Sequence, residues 1–243
     1  PYLQFLLIFI FITIAVWMLL TAQRGEQDRL WAGLSKETAH QLGTPISSLN
    51  AWQQLLAERY PDDDLIPQMR ADIHRLSTIA DRFSKIGSEP ELQKSDIIRT
   101  LQETVDYMRT RVSSKVKIET SIQAAHPTLL VVQNVQLLEW VVENLIKNAV
   151  DAMGGAGLIA ITLQEEAEEV IIDVSDNGKG MDKYTQRRIF QAGFTTKKRG
   201  WGLGLTLSKR IIEEYHRGKL FVKSSKPGVG TTFRIVLKKT ENG

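Results

Sequence analysis

The chain has 243 residues, of which 42% are hydrophobic and 24% charged, and its formal net charge is +3. This length suits one small helical element and one domain of ordinary size, and so mild a charge gives no reason to expect a nucleic-acid partner. The absence of cysteine excludes disulfides and thiolate metal sites.

The beginning of the chain predicts a membrane segment. Residues 1–23 carry no charge, and the run from Tyr2 to Leu20 is apolar almost throughout. A helix of this length can cross a bilayer, and the run lacks the basic start and small-residue cleavage site of a signal peptide. We therefore expect a transmembrane helix over residues 1–23, a buried core helix being the alternative. Arg24 and Arg29 follow it, so the positive-inside rule predicts a cytoplasmic location for the remainder. Since the chain does not begin with Met, we expect it to be part of a longer protein.

Residues 24–88 predict a helical hairpin. The first helix should cover residues 24–59 with a kink at Pro45, and YPDDD from Tyr60 should form the connection. The second should run from about Leu65 to Gly87. Both helices carry apolar residues three or four apart, namely Leu30, Leu34, Leu42, Ile46, Leu49, Trp52 and Leu56 in the first and Ile66, Met69, Ile73, Leu76, Ala80 and Phe83 in the second. Because two helices cannot bury both stripes in each other alone, we expect a homodimer that forms a four-helix bundle.

Residues 89–243 predict a mixed domain of helices and strands. Helices are expected from about Asp96, from Val135 to Met153 and from Leu203 to Tyr215. Strands are expected at Val116–Ile122, Leu158–Leu163, Val170–Val174, Leu220–Lys223 and Thr232–Leu237. Most of these strands have one apolar face, which favours an α/β sandwich with helices on one side of the sheet only.

Two amides share one face of the helix that contains ENLIKNAVDA. Asn144 and Asn148 lie four residues apart, and an amide oxygen is a suitable ligand for a Mg²⁺ that bridges phosphates. If both residues were merely structural, they would need buried partners within this apolar segment.

The pentapeptide DNGKG starts with Asp176 at the end of a predicted apolar strand. A carboxylate there can accept a hydrogen bond from the exocyclic amine of adenine, and Gly178 and Gly180 allow the backbone to approach the base. In isolation the pentapeptide favours an ordinary Asn-Gly hairpin turn.

The stretch IFQAGFTTKKRGWGLGL from Ile189 is too irregular for a strand and too rich in glycine for a helix. We expect a mobile lid in which Lys197, Lys198 and Arg199 supply positive charge toward phosphates, unless they form only a solvated charge run. The following helix, starting near Leu205, offers free N–H groups to an anion.

These motifs, in this order and together with AHQLGTP around His40, resemble those of the sensor histidine kinases of bacterial two-component systems. The resemblance covers about Leu34 to Leu237. It implies an ATP-binding domain of the Bergerat type, with Mg²⁺ on Asn148. The residues it assigns to ATP are Asn144, Lys147, Asn148, Asp176, Gly178, Gly180, Thr195, Thr196, Lys197, Gly200, Gly202, Leu203, Gly204 and Thr232. Gyrase-type relatives of this fold carry a water-activating Glu where this chain has Asn144, which favours phosphoryl transfer over hydrolysis.

The same resemblance makes His40 the phosphoacceptor. It implies that Thr44, one turn later, positions water to dephosphorylate a partner response regulator. The family usually has Glu or Asp after the acceptor as a base, but this chain has Gln41, which cannot take a proton. Glu37, one turn before His40 on the same helical face, is the other candidate base.

The resemblance thus implies a dimeric histidine kinase anchored in the inner membrane, with its kinase portion in the bacterial cytoplasm. It would use Mg²⁺ and ATP to phosphorylate His40 and would pass the phosphoryl group to the receiver domain of a response regulator. Gln41 leaves a second hypothesis open, an ATP-regulated phosphatase or scaffold with weak autokinase activity.

Overall fold

The computed structural model describes residues 41–61, 63–86, 90–197 and 202–240. It divides into two compact units, Pro1–Pro90 and Glu91–Gly243. The predicted membrane segment, Glu37 and His40 lie outside the described residues, as do Lys198, Arg199 and Gly200. Among the described helices, none combines the length and the apolar character needed to cross a bilayer.

The described residues of the first unit form two helices. Residues 41–59 are helical, here called α1, and residues on both sides of Pro45 belong to the helix. The second helix, α2, spans Leu65–Ile86. Asp63 accepts a hydrogen bond from the Leu65 N–H at 2.9 Å, which caps the start of α2. The two predicted helices are therefore present in the described part of this unit.

A small cluster joins the two helices. Ile46 of α1 is buried together with Ile73 and Ala80 of α2, and Leu49 packs against them. Other members of the predicted apolar stripes stay open to solvent: Trp52 is 61% exposed, Leu76 44%, Leu42 37%, and Leu56 and Met69 36% each. One hairpin thus buries only part of its apolar surface, as the sequence pattern predicted.

The second unit combines a mixed sheet with helices. In chain order its elements are β1 (Gln93–Asp96), α3 (Ile97–Arg109), β2 (Val116–Gln123), β3 (Leu130–Gln133), α4 (Val135–Ala152), β4 (Gly157–Glu165), β5 (Glu169–Asp176), α5 (Lys183–Arg188), α6 (Gly204–Arg210), β6 (Lys219–Lys226) and β7 (Gly230–Lys238). Five strands form a sheet in the order β2-β4-β5-β7-β6, in which β2 and β4 are parallel and the other pairs antiparallel. The remaining strands, β1 and β3, form a separate antiparallel pair.

The core lies between one face of the large sheet and α3, α4 and α6. Alternate strand residues such as Ile159, Ile161 and Leu163 are fully buried there. Helix α4 contributes Val141, Leu145 and Ile146 to the same core. On the sheet's other face, the side chain of Asp173 is ion-paired with Arg234 at 2.7 Å and Lys223 at 2.8 Å. The described residues thus confirm the predicted α/β sandwich.

Side-chain caps fix the starts of the two longest helices in this unit. Asp96 accepts the N–H of Ile98 at 3.1 Å and that of Leu129 at 3.0 Å, so one carboxylate both caps α3 and holds the chain ahead of β3. Asn134 accepts the N–H of Leu137 at 3.1 Å and so caps α4. Each boundary agrees with the sequence prediction to within one or two residues.

Helix α6 continues into a π-helical turn, Ile211–Tyr215. The following residue, His216, is buried. Its Nε2 accepts the backbone N–H of Asn134 at 3.0 Å, so Nδ1 carries the proton and donates to the Ile211 carbonyl at 2.8 Å. A neutral imidazole therefore joins the end of the α6 segment to the start of α4.

Candidate functional site: an ATP site between α4, β5 and α6

Asn144 connects α4 to the first turn of α6. Its amide Nδ2 donates to the hydroxyl of Ser208 at 2.9 Å. A Cβ atom added to Gly204 would lie 2.6 Å from Asn144 Oδ1, so glycine is what lets the two helices approach here. The amide predicted to lie beside the metal thus has a partner within the protein.

Asn148, one turn later on α4, points its amide oxygen at a cation. The Nζ of Lys197 donates to Asn148 Oδ1 at 2.7 Å. The same ammonium group is 2.6 Å from Oδ2 of Asp151, three residues further along the helix. The structure thereby brings Lys197 of the predicted lid to the predicted metal ligand.

Asp176 ends β5 as a half-buried carboxylate. Burial raises its pKa, and the backbone N–H groups of Gly178 and Thr231, which bond to the carboxylate, only partly offset this effect. The Gly178 N–H lies 2.8 Å from Asp176 Oδ1. A partly desolvated acceptor at the end of a strand has the chemistry required to bind the exocyclic amine of adenine.

The segment after Asp176 is not a hairpin turn. It leads from β5 to α5, and the Lys179 N–H donates to the Ala152 carbonyl at 3.0 Å, at the end of α4. A Cβ added to Gly178 would lie 2.7 Å from that carbonyl oxygen. Gly180 has φ +63°, and a Cβ there would lie 2.0 Å from the Lys226 carbonyl oxygen. Both glycines are therefore required by close backbone packing, and the hairpin alternative is wrong.

The β6–β7 turn holds this segment from the other side. The N–H of Gly228 donates to the Lys179 carbonyl at 2.8 Å. On β7, the hydroxyl of Thr232 lies 2.9 Å from that of Ser175, the residue before Asp176. The β6–β7 turn thus both connects the two strands and supports the loop next to Asp176.

The segment between α5 and α6 is anchored by aromatic contacts. The rings of Phe190 and Phe233 meet edge to face, 6.4 Å apart. The guanidinium of Arg188 lies 4.8 Å from the centre of the Phe194 ring. Further along, the Thr195 hydroxyl accepts the Lys197 N–H at 3.1 Å. Phe190 and Phe194 therefore anchor this segment.

Four further residues that the resemblance assigns to ATP have the following contacts and exposure. Gly202 has φ +67°, and the N–H of Gly193 donates to its carbonyl at 3.2 Å. Leu203 precedes α6 and makes no capping bond through its side chain. Thr196 is exposed. Lys147 pairs with Glu143 one turn back at 3.0 Å.

In the hairpin unit, Gln41 and Thr44 are exposed on α1. The Thr44 carbonyl accepts the Ser48 hydroxyl at 3.3 Å.

The donor set fits ATP with Mg²⁺. Asp176 offers a desolvated acceptor, Asn148 a neutral oxygen ligand, and Lys197 a cation for phosphate. Two residues that sequence reasoning missed complete the site. Asp151 lies three residues after Asn148 and so shares its helical face, a spacing that could have revealed it. No sequence pattern indicated that Ser208 belongs to the site.

Comparison with known proteins agrees with this geometry. Residues 133–241 match the family described as histidine kinase-, DNA gyrase B-, and HSP90-like ATPase. Sporulation kinase E of Bacillus subtilis is 28% identical over 215 residues, which are 86% of this chain and 29% of that protein. Sensor histidine kinase ZraS of Escherichia coli is 31% identical over 218 residues, which are 84% of this chain and 44% of that protein. The chain therefore spans less than half the length of these two relatives.

Two solved structures resemble the chain. The catalytic domain of histidine kinase ThkA aligns with a TM-score of 0.55 and 26% identity, over 62% of this chain and 97% of that one. Histidine kinase ThkA in complex with the response regulator protein TrrA aligns with a TM-score of 0.58 over 90% of this chain and 65% of that one, and at 22% identity it shows the fold alone.

The fold and the site define an ATP-binding catalytic domain of the type shared by histidine kinases, gyrase B and HSP90. The relatives narrow this class of protein, because the chain resembles the sensor histidine kinases of bacterial two-component systems.

Proposed function

We propose that this chain is the kinase part of a membrane-anchored, homodimeric sensor that transfers the γ-phosphoryl group of ATP to His40. The observation that carries the proposal is the half-buried carboxylate of Asp176, which accepts backbone N–H groups. The same domain contains Asn148 on α4, whose amide oxygen faces Lys197. The complex of ThkA with TrrA supports a response regulator as the next phosphoryl acceptor.

Each residue of the site has a defined task in this reaction. Asp176 accepts a hydrogen bond from the adenine amine and so selects the base. Asn148 is the metal ligand, and Lys197 neutralises phosphate charge. When bound, Mg²⁺ and ATP supply the electrophilic phosphoryl group, and a neutral imidazole at His40 is the nucleophile. Asn144, bonded to Ser208, cannot act as a base toward water, which favours transfer over hydrolysis.

Residues close to His40 in sequence would supply the groups that tune the reaction. Gln41 can orient the imidazole but cannot take its proton, so we assign the base to Glu37. We assign to Thr44 the positioning of water for dephosphorylation of the regulator. Weak autokinase activity with dominant phosphatase activity is the alternative that this assignment leaves open.

Incubation with γ-labelled ATP and Mg²⁺ tests the proposal. The wild-type chain should acquire acid-labile, base-stable label, and His40→Ala should abolish it. Thr44→Ala, four residues away in sequence, serves as the matched control and should keep the label. Undiminished labelling of His40→Ala would remove the phosphoacceptor assignment.

A further inference from the structure

The ion pair between the predicted lid and α4 points to a function for Asp151. Lys197 Nζ lies 2.6 Å from Asp151 Oδ2 and 2.7 Å from Asn148 Oδ1, so one ammonium group is shared by both side chains. Lys197 lies 46 positions after Asp151 and 49 after Asn148 in sequence, and only the fold brings it to these two residues. Among the described residues, Lys197 is the cation that contacts the predicted metal ligand.

We propose that Asp151 is a positioning residue of the ATP site. Asp151 keeps the Lys197 ammonium group hydrogen-bonded to the Asn148 amide oxygen until Mg²⁺ and nucleotide displace the ammonium group. The inference rests on the proposed function, because it takes Asn148 as the metal ligand.

The geometry makes the two cations competitors. Mg²⁺ binds oxygen ligands at about 2.1 Å and keeps most of its water shell, which needs space on every side of the ion. An ammonium group 2.7 Å from the same oxygen lies inside that space. The mutual repulsion of the charges adds to the steric conflict. Binding of the metal at Asn148 therefore requires Lys197 to leave.

The carboxylate determines how readily Lys197 leaves. Asn148 is a neutral acceptor, whereas Asp151 forms a charge-assisted bond with the ammonium. The side chains of Lys197 and Asp151 are 40% and 55% exposed, so water screens the pair and its effect should be moderate. Once released, Lys197 remains beside the position of the phosphates and can bind them. Asp151 thus keeps the phosphate-binding Lys197 at the site and determines the Mg²⁺ concentration at which Lys197 leaves Asn148.

The test measures how ATP binding depends on Mg²⁺, using calorimetry on the full chain in detergent micelles. Asp151→Asn should lower the Mg²⁺ concentration that gives half-maximal ATP binding by about two- to fivefold, the range of a partly exposed ion pair. Asp151→Glu keeps the charge and should restore a value near wild type. The matched control is Glu103→Gln, which removes a carboxylate from an exposed pair with Arg99 on α3 and should change nothing.

The outcomes separate this inference from the function on which it rests. If wild type does not bind ATP in the presence of Mg²⁺, the proposed function fails. If wild type binds ATP but Asp151→Asn leaves the Mg²⁺ requirement unchanged, the positioning role fails. If Asp151→Asn raises the Mg²⁺ concentration needed for ATP binding, Asp151 assists metal binding directly. The proposed displacement of Lys197 by Mg²⁺ would then be wrong.

A second measurement needs no nucleotide. Thermal unfolding of Asp151→Asn, Lys197→Met and the double variant should show non-additive changes if the pair exists in solution. Strictly additive changes would contradict the ion pair and, with it, the proposal.

Discussion

At the scale of single residues, Asp176 illustrates a conflict between stability and binding. Burial raises its pKa above the usual value because the charged form is poorly solvated, despite the N–H groups of Gly178 and Thr231. The folded state therefore binds this proton more tightly than the unfolded state does. The resulting stabilisation is present at low pH and is lost as the pH rises through the folded-state pKa. At neutral pH the ionised carboxylate destabilises the ligand-free domain.

Asp176→Asn should accordingly separate stability from function. We expect the nucleotide-free variant to be at least as stable as wild type at neutral pH, because the buried charge is gone. Its affinity for ATP should fall by the equivalent of about 1–3 kcal/mol, because the neutral amide is a weaker acceptor for the adenine amine than the charged carboxylate. Thermal unfolding with and without ATP measures both effects.

Asp106→Asn provides the control for this change. Its carboxylate forms an exposed pair with Arg109 on α3, far along the chain from the site. The control should bind ATP like wild type. An Asp176→Asn variant that also binds ATP with wild-type affinity would show that the adenine contact lies elsewhere.

At the scale of elements, the segment that follows α6 is tied to the start of α4 by His216. Burial lowers the pKa of this imidazole, although its bonds to Ile211 and Asn134 act in the opposite direction. The unfolded state then binds the proton more tightly. The contribution of His216 to stability is present above the ordinary histidine pKa of about 6.5 and is lost as the pH falls below it.

His216→Leu should reduce this pH dependence. Because the variant leaves the Asn134 N–H without an acceptor, it should also lower the free energy of unfolding at pH 7.5 by about 1–3 kcal/mol. Denaturant unfolding at a series of pH values from about 7.5 to 5 measures both effects. His126→Gln, at an exposed position, is the control and should behave like wild type. If His216→Leu lost stability at low pH to the same extent as wild type, the pH dependence would arise from other groups.

Elements with a clear apolar pattern could be predicted from the sequence, and elements without one could not. Strand β4 was predicted because buried residues such as Ile159 and Ile161 alternate along it, and β5 because it carries a short apolar run around Ile172. Strand β1, with the sequence QKSD, has no apolar residue to reveal it. Strand β3 is only four residues long. Helix α5 buries no residue and depends on its Asp182 cap.

The residues of the site also divide into those that could be predicted from the sequence and those that could not. Asp176 and Asn148 lie in recognisable motifs, and the structure gives them geometries that suit their predicted roles. The resemblance assigned Lys147 to ATP, and in the structure its ammonium group bonds to Glu143 on its own helix. The contact between Lys197 and Asp151 joins distant parts of the chain, so no local pattern could predict it. Motifs identify the chemistry, whereas the partners of each side chain depend on the fold.

At the scale of the whole molecule, the hairpin unit carries more apolar surface than one copy can bury. Trp52 is 61% exposed and Leu55 63%, although both lie on a helix that packs against α2. A second copy of the same hairpin would cover such a surface and complete the expected four-helix bundle. The ATP-binding unit has its own hydrophobic core.

Trp52→Lys should therefore weaken dimer formation while leaving the ATP site intact. A charge placed at a bundle interface is costly unless it is paired, so the variant should shift from dimer toward monomer in light scattering at micromolar concentration. Its ATP affinity should match that of wild type, because the site lies in the other unit. Val132→Lys places the same charge at a position of β3 that is 43% exposed, and this control should remain dimeric. If Trp52→Lys were as dimeric as the control, the copies would have to associate through another surface, and the hairpin would need a different partner for its exposed stripe.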